Sequence, residues 1–315
     1  MQNDYDLSLQ AFINAAERIE GLAIRTPLLR LQVESIHPIY LKLENLQPIG
    51  SFKIRCAANA LLSRRQAVQG IVSTASAGNF AQGLAYAGRK LGIAIRTFVP
   101  DTAAGSKIDA LKRLGAEVER IPYAQWWAML ADPPSDPDFI HPAVAPEVLA
   151  GNGTIALEIM QDLPDVATVL APYGGGGLSV GIAAALRAVG SQAQVYASES
   201  EAGAPLHAAF EAAEPVRVNF DPATFITGMG GPEVLSVIWP LAHKYLAGSQ
   251  VVSLPQVAEA IDLLIRRHHI IVEGAGAAPV AAALSSPRDG PTVCILSGGH
   301  LDPKHLVAIL RGEMP

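Results

Sequence analysis

The stretch PIGSFKIRCAANALL, residues 48–62, sets a lysine on the apolar side of a helix. If the run from Phe52 is helical, positions 53, 57, 60 and 61 share a face that after Lys53 reads Ala57, Ala60 and Leu61. Arg55, Asn59 and Ser63 fall on another face. Lys53 either snorkels from the first helical turn or is a buried amine, neutral enough to act as nucleophile or base. Three further stretches carry chemistry-bearing residues at turns. VLAPYGGGGLSVGIAAALR, residues 169–187, reads as a strand, four glycines and a helix. Such a loop is either a tight turn or a cradle of backbone amides for phosphate.

A dinucleotide site competes for that loop, because Gly175, Gly177 and Gly181 give a variant glycine spacing and Glu199 ends the next strand. The usual third glycine, however, falls at Ser179 or Val180, and no lysine follows as in a nucleoside-triphosphate loop. The loop therefore indicates phosphate and leaves its carrier open. IVSTASAGNFAQGLAYAGRKLG, residues 71–92, repeats the design with the loop Ser76-Ala77-Gly78-Asn79. It suits a carboxylate, or else Ser76 or Asn79 simply caps the helix. In TVCILSGGHLDP, residues 292–303, Ser297 ends an apolar strand and so faces the crevice where open α/β sheets bind ligands. His300 reads as a general base or as an ordinary loop histidine. His268-His269 suits a helix C-terminus and Trp126-Trp127 reads as core or lobe interface.

The elements that must hold these residues alternate regularly. Apolar runs at 39–43, 70–74, 93–99, 117–121, 167–171, 194–199 and 292–296 read as strands, with helical patterns at 79–91, 106–114, 178–189, 255–268 and 303–310. That alternation predicts an α/β protein with parallel sheets covered on both faces. A proline-rich stretch at 131–146 marks a hinge or domain crossing. The expected division is a large domain of 1–64 and 146–315 and a small mobile domain of 65–145.

The chain has 315 residues, half of them hydrophobic and 17% charged, enough for a sizeable core. A net charge of −6 argues against nucleic acid or an anionic membrane as partner. MQNDYDLSLQ lacks the basic flank and apolar core of a signal peptide, so a cytoplasmic location is expected. Cys56 and Cys294 read as ordinary thiols, with no disulfide framework or zinc site.

A lysine, a phosphate loop, a carboxylate loop and a strand-end serine together suit pyridoxal 5'-phosphate. The sequence resembles the fold-type-II pyridoxal-phosphate enzymes (tryptophan synthase β-like), in their threonine/serine dehydratase and serine racemase branch. The resemblance rests on TPLL (26–29), GSFKIR (50–55), SAGN-AQG (76–83), HP…PEVLAGNGTIALEI (141–159), GGGGL (174–178), VEGAGA (272–277) and SGG (297–299). It implies two lobes, each with a mainly parallel open sheet flanked by helices, and a homodimer. It further implies that Lys53 carries the cofactor as a Schiff base, with Phe52 against the ring. Gly174, Gly175, Gly176, Gly177 and Leu178 would hold the phosphate, Asn79 the phenolic oxygen and Ser297 the ring nitrogen. Ser76, Ala77, Gly78 and Asn79 would receive the carboxylate of a small amino-acid substrate. The implied reaction is α,β-elimination of water from a β-hydroxy amino acid, giving a 2-oxo acid and ammonia. β-Replacement, racemisation, and a non-enzymatic sensor of the cofactor or another phosphorylated ligand are the alternatives.

Several positions depart from the family's pattern. Ala77 stands where racemases carry a second acid/base serine, which argues against racemisation. Phe80 replaces a usual histidine and His300 a usual asparagine, and both are expected to shape the pocket for the substrate side chain. A substrate bulkier than threonine, such as phenylserine or hydroxyaspartate, would suit them. Pro205 stands where cation-binding members carry an aspartate six residues after Glu199, so no metal is expected. Cys56 replaces the glycine usual after FKIR. The chain ends soon after Arg311, so the regulatory domain of allosteric threonine dehydratases is not expected.

Overall fold

The alternation of strand and helix resolves into two separate sheets. The computed structural model describes residues 5–68 and 70–315. In chain order the strands are β1 (Leu28–Arg30), β2 (Ile39–Lys42), β3 (Val72–Ala75), β4 (Ile95–Pro100), β5 (Glu117–Ile121), β6 (Thr168–Pro172), β7 (Gln194–Ser200), β8 (Gly248–Val252) and β9 (Thr292–Ile295). The helices are α1 (Leu9–Arg18), α2 (Lys53–Arg64), α3 (Asn79–Leu91), α4 (Gly105–Arg113), α5 (Tyr123–Ala131), α6 (Pro146–Asp162), α7 (Gly177–Ala188), α8 (Pro205–Ala212), α9 (Trp239–Tyr245), α10 (Leu254–His268), α11 (Gly274–Ser285) and α12 (Pro303–Leu310).

The larger sheet has the order β1-β2-β9-β6-β7-β8, with β1 antiparallel to β2 and the remaining pairs parallel. Its central strands β6 and β9 are buried at every position because helices cover both faces. Alternate side chains feed two cores: Val169, Ala171, Val293 and Ile295 pack with α6 and α7, while Leu170, Cys294 and Leu41 pack with α10 and α11. The smaller sheet, β3-β4-β5, is all parallel.

Helix α2 lies between these parts. Its apolar face, Ala57, Ala60 and Leu61, joins the core of the smaller sheet with Val72, Leu84 and Ile95. Close approach on both sides requires small residues: a Cβ on Gly83 of α3 would lie 2.9 Å from Lys53 O, and one on Gly151 of α6 2.6 Å from Cys56 Cα. The other face of α2 differs from a simple amphipathic reading, since Arg55 and Asn59 are also buried. Asn59 accepts from Arg18 Nη1 at 3.2 Å and donates to Glu147 O at 2.8 Å, and Arg55 enters an ion cluster described below. Trp126 and Trp127 are only half-buried, on a helix with no fully buried residue, so they are not core.

Candidate active site

Lys53 is fixed by the end of the strand that carries Ser297. Between β2 and α2 the chain turns at Gly50, whose φ of +69° favours glycine. There the Phe52 N–H donates to Ser297 O at 3.0 Å and the Gly299 N–H to Gly50 O at 2.9 Å. The residues just before α2 are thereby clipped to the chain just past β9. Lys53 Nζ donates one long hydrogen bond, 3.4 Å, to Pro142 O and lies 4.9 Å from the Phe52 ring centroid and 5.8 Å from that of Phe80. Desolvation by burial pulls this amine below the ordinary lysine range.

Strand β6 pairs with β9, so the glycine loop emerges beside Ser297. Gly176 takes φ +81°, and no side chain caps the start of α7. The loop is packed too closely for side chains: a Cβ on Gly175 would lie 2.8 Å from Ala143 Cβ, and one on Gly177 2.5 Å from Ala143 O. Leu178 is buried behind it. The segment 141–143 thus stands between lysine and glycine loop. His141 holds it there, accepting from the Ala143 and Val144 N–H groups at Nδ1, each at 3.1 Å, so that Nε2–H donates to Leu130 O at 3.1 Å. Burial keeps this imidazole neutral, with its pKa pushed down to about 4. Sequence reasoning assigned His141 no role; its signals were the His-Pro pair inside the proline-rich stretch and its place at the head of the block at 141–159.

The smaller sheet supplies the third loop. Ser76 Oγ accepts from the Gly78 N–H at 3.3 Å, and Thr97 Oγ1 donates to Ser76 O. Neither Ser76 nor Asn79 caps α3, whose first turn has no side-chain cap. Asn79 instead reaches across to the larger lobe and donates from Nδ2 to Glu273 Oε1 at 3.3 Å. Sequence reasoning also missed Glu273, a carboxyl pushed by burial to about 7. Ser76, Ala77 and Gly78 lie in the same turn, and a cleft of 590 Å³ opens beside it, lined by Gly78, Asn79, Lys107, Glu273 and His300. The His300 ring packs over Gly50, its Cε1 3.2 Å from where a Cβ there would sit. Burial and the nearby Lys107 hold its pKa down. Phe80 does not line this cleft: at 2% exposure it packs in the core of the smaller sheet, with its ring near Lys53.

Glu199 accepts from the Leu206 and His207 N–H groups at 2.9 and 2.8 Å and from Ser249 Oγ. Its carboxyl therefore closes the start of α8. Among the described residues no group of three or more His, Cys, Asp or Glu side chains could hold a metal ion.

A desolvated amine, an amide cradle too tight for any Cβ and a strand-end hydroxyl stand at adjoining ends of β2, β9 and β6. These residues fit pyridoxal phosphate, which needs an amine for its aldehyde and anion-binding amides for its phosphate. The family of pyridoxal-phosphate-dependent enzymes matches residues 19–298. The L-threonine ammonia-lyase of Geobacter sulfurreducens is 38% identical over 284 residues, covering 87% of this chain and 70% of the relative. The catabolic L-threonine dehydratase TdcB of Escherichia coli (strain K12) is 34% identical over 318 residues, 96% of each chain. The structure of the processed form of threonine deaminase isoform 2 from Solanum lycopersicum superposes with a TM-score of 0.85 at 27% identity, covering 98% of this chain and 88% of the other.

The chain belongs to the pyridoxal-phosphate-dependent enzyme family. Within it the fold is type II and the branch that of the threonine/serine dehydratases, making the protein a pyridoxal-phosphate-dependent lyase.

Proposed function

We propose that the lyase dehydrates and deaminates a small β-hydroxy amino acid, threonine foremost, to a 2-oxo acid and ammonia. The observation that carries this reading is Lys53: an amine beside two aromatic rings, with no carboxylate partner among the described residues and its proton affinity lowered by burial, suits the base the reaction uses. Threonine is favoured by relatives of 34% and 38% identity that are named for it.

In this reading the cofactor phosphate is held by Gly174, Gly175, Gly176, Gly177 and Leu178, the phenolic oxygen by Asn79, the ring nitrogen by Ser297 and the ring face by Phe52. When bound, pyridoxal phosphate supplies an electron sink that acidifies the substrate's Cα–H. Ser76, Ala77, Gly78 and Asn79 bind the substrate carboxylate at the start of α3, which fixes the Cα–H bond that faces Lys53. Lys53 Nζ takes that proton. In net terms the Cα–H and Cβ–O bonds break, one water leaves, and hydrolysis of the C–N bond releases ammonia. Ala77 has no proton to deliver to the opposite face, so racemisation is minor. Phe80, packed in the core of the smaller sheet, gives the cleft no aromatic wall for phenylserine, and His300 at the cleft sets the limit on side-chain size.

We further assign 1–64 and 146–315 to a large domain and 65–145 to a small mobile one that carries Asn79 to the cofactor. A homodimer in the cytoplasm completes the reading. No cation is assigned to Glu199, because both its oxygens already accept hydrogen bonds.

Threonine, serine, phenylserine and hydroxyaspartate assayed side by side for 2-oxo acid and ammonia test this reading. Threonine is expected to turn over fastest, and Lys53→Ala to lower the product by on the order of 10³-fold. No ammonia from any of the four, or racemisation outpacing elimination, would overturn it.

A further inference from the structure

Glu273 has no part in the reaction above, yet it stands where the loops of the two sheets meet. It precedes α11, and its N–H donates to Gly298 O at 2.9 Å. The side chain, 5% exposed, turns toward the site rather than capping its own helix. Oε1 accepts from Asn79 Nδ2 at 3.3 Å. A Cβ on Gly298 would fall 2.3 Å from the same oxygen, so the carboxyl lies against the peptide next to Ser297. Gly228 flanks it from the loop before α9, with Oε1 3.8 Å from where a Cβ would be. One carboxyl therefore borders both the amide assigned to the phenolic oxygen and the backbone beside the hydroxyl assigned to the ring nitrogen.

Packing alone does not account for an acid here. A buried carboxyl without a salt bridge costs stability that a leucine or glutamine would not. The charged and titratable groups facing it are Lys107 from α4 and His300 from the segment after β9; the latter's backbone N–H also points at the carboxyl. Lys107 is exposed and its attraction is screened.

We propose that Glu273 is a positioning residue: it anchors one N–H of the Asn79 carboxamide, leaving the other aimed at the cofactor's phenolic oxygen, and proton exchange on its carboxyl changes the charge felt at that oxygen. This rests on the pyridoxal-phosphate reading and its assignment of Asn79. A carboxamide has two N–H donors and a soft terminal torsion, so fixing one donor fixes the other. Burial raises the carboxyl to about 7 against the opposing pull of Lys107, the His300 N–H and Asn79, so the proton exchanges near neutrality. Below that pH a neutral carboxyl faces the phenolic oxygen. Above it a carboxylate disfavours negative charge on that oxygen and draws a proton toward it.

The test is a pH titration of the holoenzyme's visible absorbance, joined to cofactor titration of the cofactor-free protein. The wild type is expected to show an absorbance step near 7, where Glu273 titrates. Glu273→Gln keeps the acceptor oxygen but cannot ionise, and should retain the cofactor and lose the step. Glu273→Ala should weaken cofactor binding about tenfold, the cost of one lost hydrogen bond, and add little to Asn79→Ala in the double variant. A step that persists in Glu273→Gln, or additive losses in the double variant, would overturn the proposal. Should Glu273→Ala fail to fold, the Glu273→Gln titration still decides. An Asn79→Ala protein with wild-type absorbance and affinity overturns the Asn79 assignment and this proposal with it. A visible band that survives Lys53→Ala overturns the underlying reading instead.

Discussion

Lys53 and Arg55 stand two residues apart on one helix, both turned inward, and burial does opposite things to them. Arg55 is 1% exposed and donates to Glu44 Oε2 and Oε1, each at 2.8 Å, to Glu158 Oε1 and Oε2 at 2.7 and 3.0 Å, and to Thr154 Oγ1 and Ile24 O, each at 3.2 Å. Lys42 completes the cluster, donating to Glu158 and to Thr26 O at 2.7 Å. Desolvation opposes the charge on Arg55, but the two carboxylates more than offset it and hold its pKa above the ordinary arginine value. Lys53 has one long bond to a carbonyl and loses proton affinity. A buried charge whose partners are all supplied belongs to the architecture, whereas a buried group short of partners is available for chemistry.

Substitutions at the two positions should therefore have exchanged phenotypes. Lys53→Ala is expected to lower 2-oxo acid formation by on the order of 10³-fold, the loss of a general base. Its unfolding midpoint in urea should not fall, since a desolvated amine has been removed. Arg55→Ala leaves Glu44 and Glu158 buried without their guanidinium and should cost about 3–5 kcal/mol of stability by the same measurement. A cost below about 1 kcal/mol would show that the cluster does not hold α2.

A smaller effect should follow at the phosphate cradle. Gly177→Ala places a Cβ 2.5 Å from Ala143 O, so the segment that carries Pro142 O toward Lys53 must shift. About 1–3 kcal/mol of strain is expected, with weaker cofactor binding in a titration of the cofactor-free protein. Wild-type affinity in this variant would mean that the closeness of 143 to the glycine loop has no bearing on the site.

How much of this contrast was legible in the sequence follows from what each residue's partners are. Glycine runs, strand tips and the lysine after a turning glycine are local signals, and the structure brings Lys53, Gly174–Gly177 and Ser297 together at adjoining strand ends. The strands at 117–121 and 292–296 match β5 and β9 to within a residue: β9 because an apolar run in a covered parallel sheet is nearly continuous, β5 although it is an edge strand exposed at Glu117, Glu119 and Arg120. β1, of three residues, and β8, a polar edge strand reading GSQVV, gave no such pattern. α11, with Pro279 inside it and small residues on every side, shows no amphipathic period. Arg55 read as the polar face of α2 because its partners, Glu44 and Glu158, come from a turn and a distant helix. His141 and Glu273 act through backbone groups and an amide far away in the chain, for which sequence spacing carries no signal.

Glu273 lies on the chemical side of this contrast, and the pH dependence of stability should reveal it. Its folded pKa, about 7, lies above the ordinary 4.5, so between those values the native state holds a proton that the unfolded chain releases. More protons bound in the native state means that stability falls as pH rises through this window and levels off above the folded pKa. Glu273→Gln cannot ionise and lacks this contribution, which makes it the reference against which other titrating groups cancel. The stability of the wild type minus that of Glu273→Gln should thus be greater at about pH 6 than at about pH 8, by on the order of 1 kcal/mol. Urea unfolding of both proteins at the two pH values measures it. The opposite sign would place Glu273 with Glu158, as a carboxylate whose charge the fold stabilises; the Asn79 amide and the screened Lys107 are too weak a set of partners to do so.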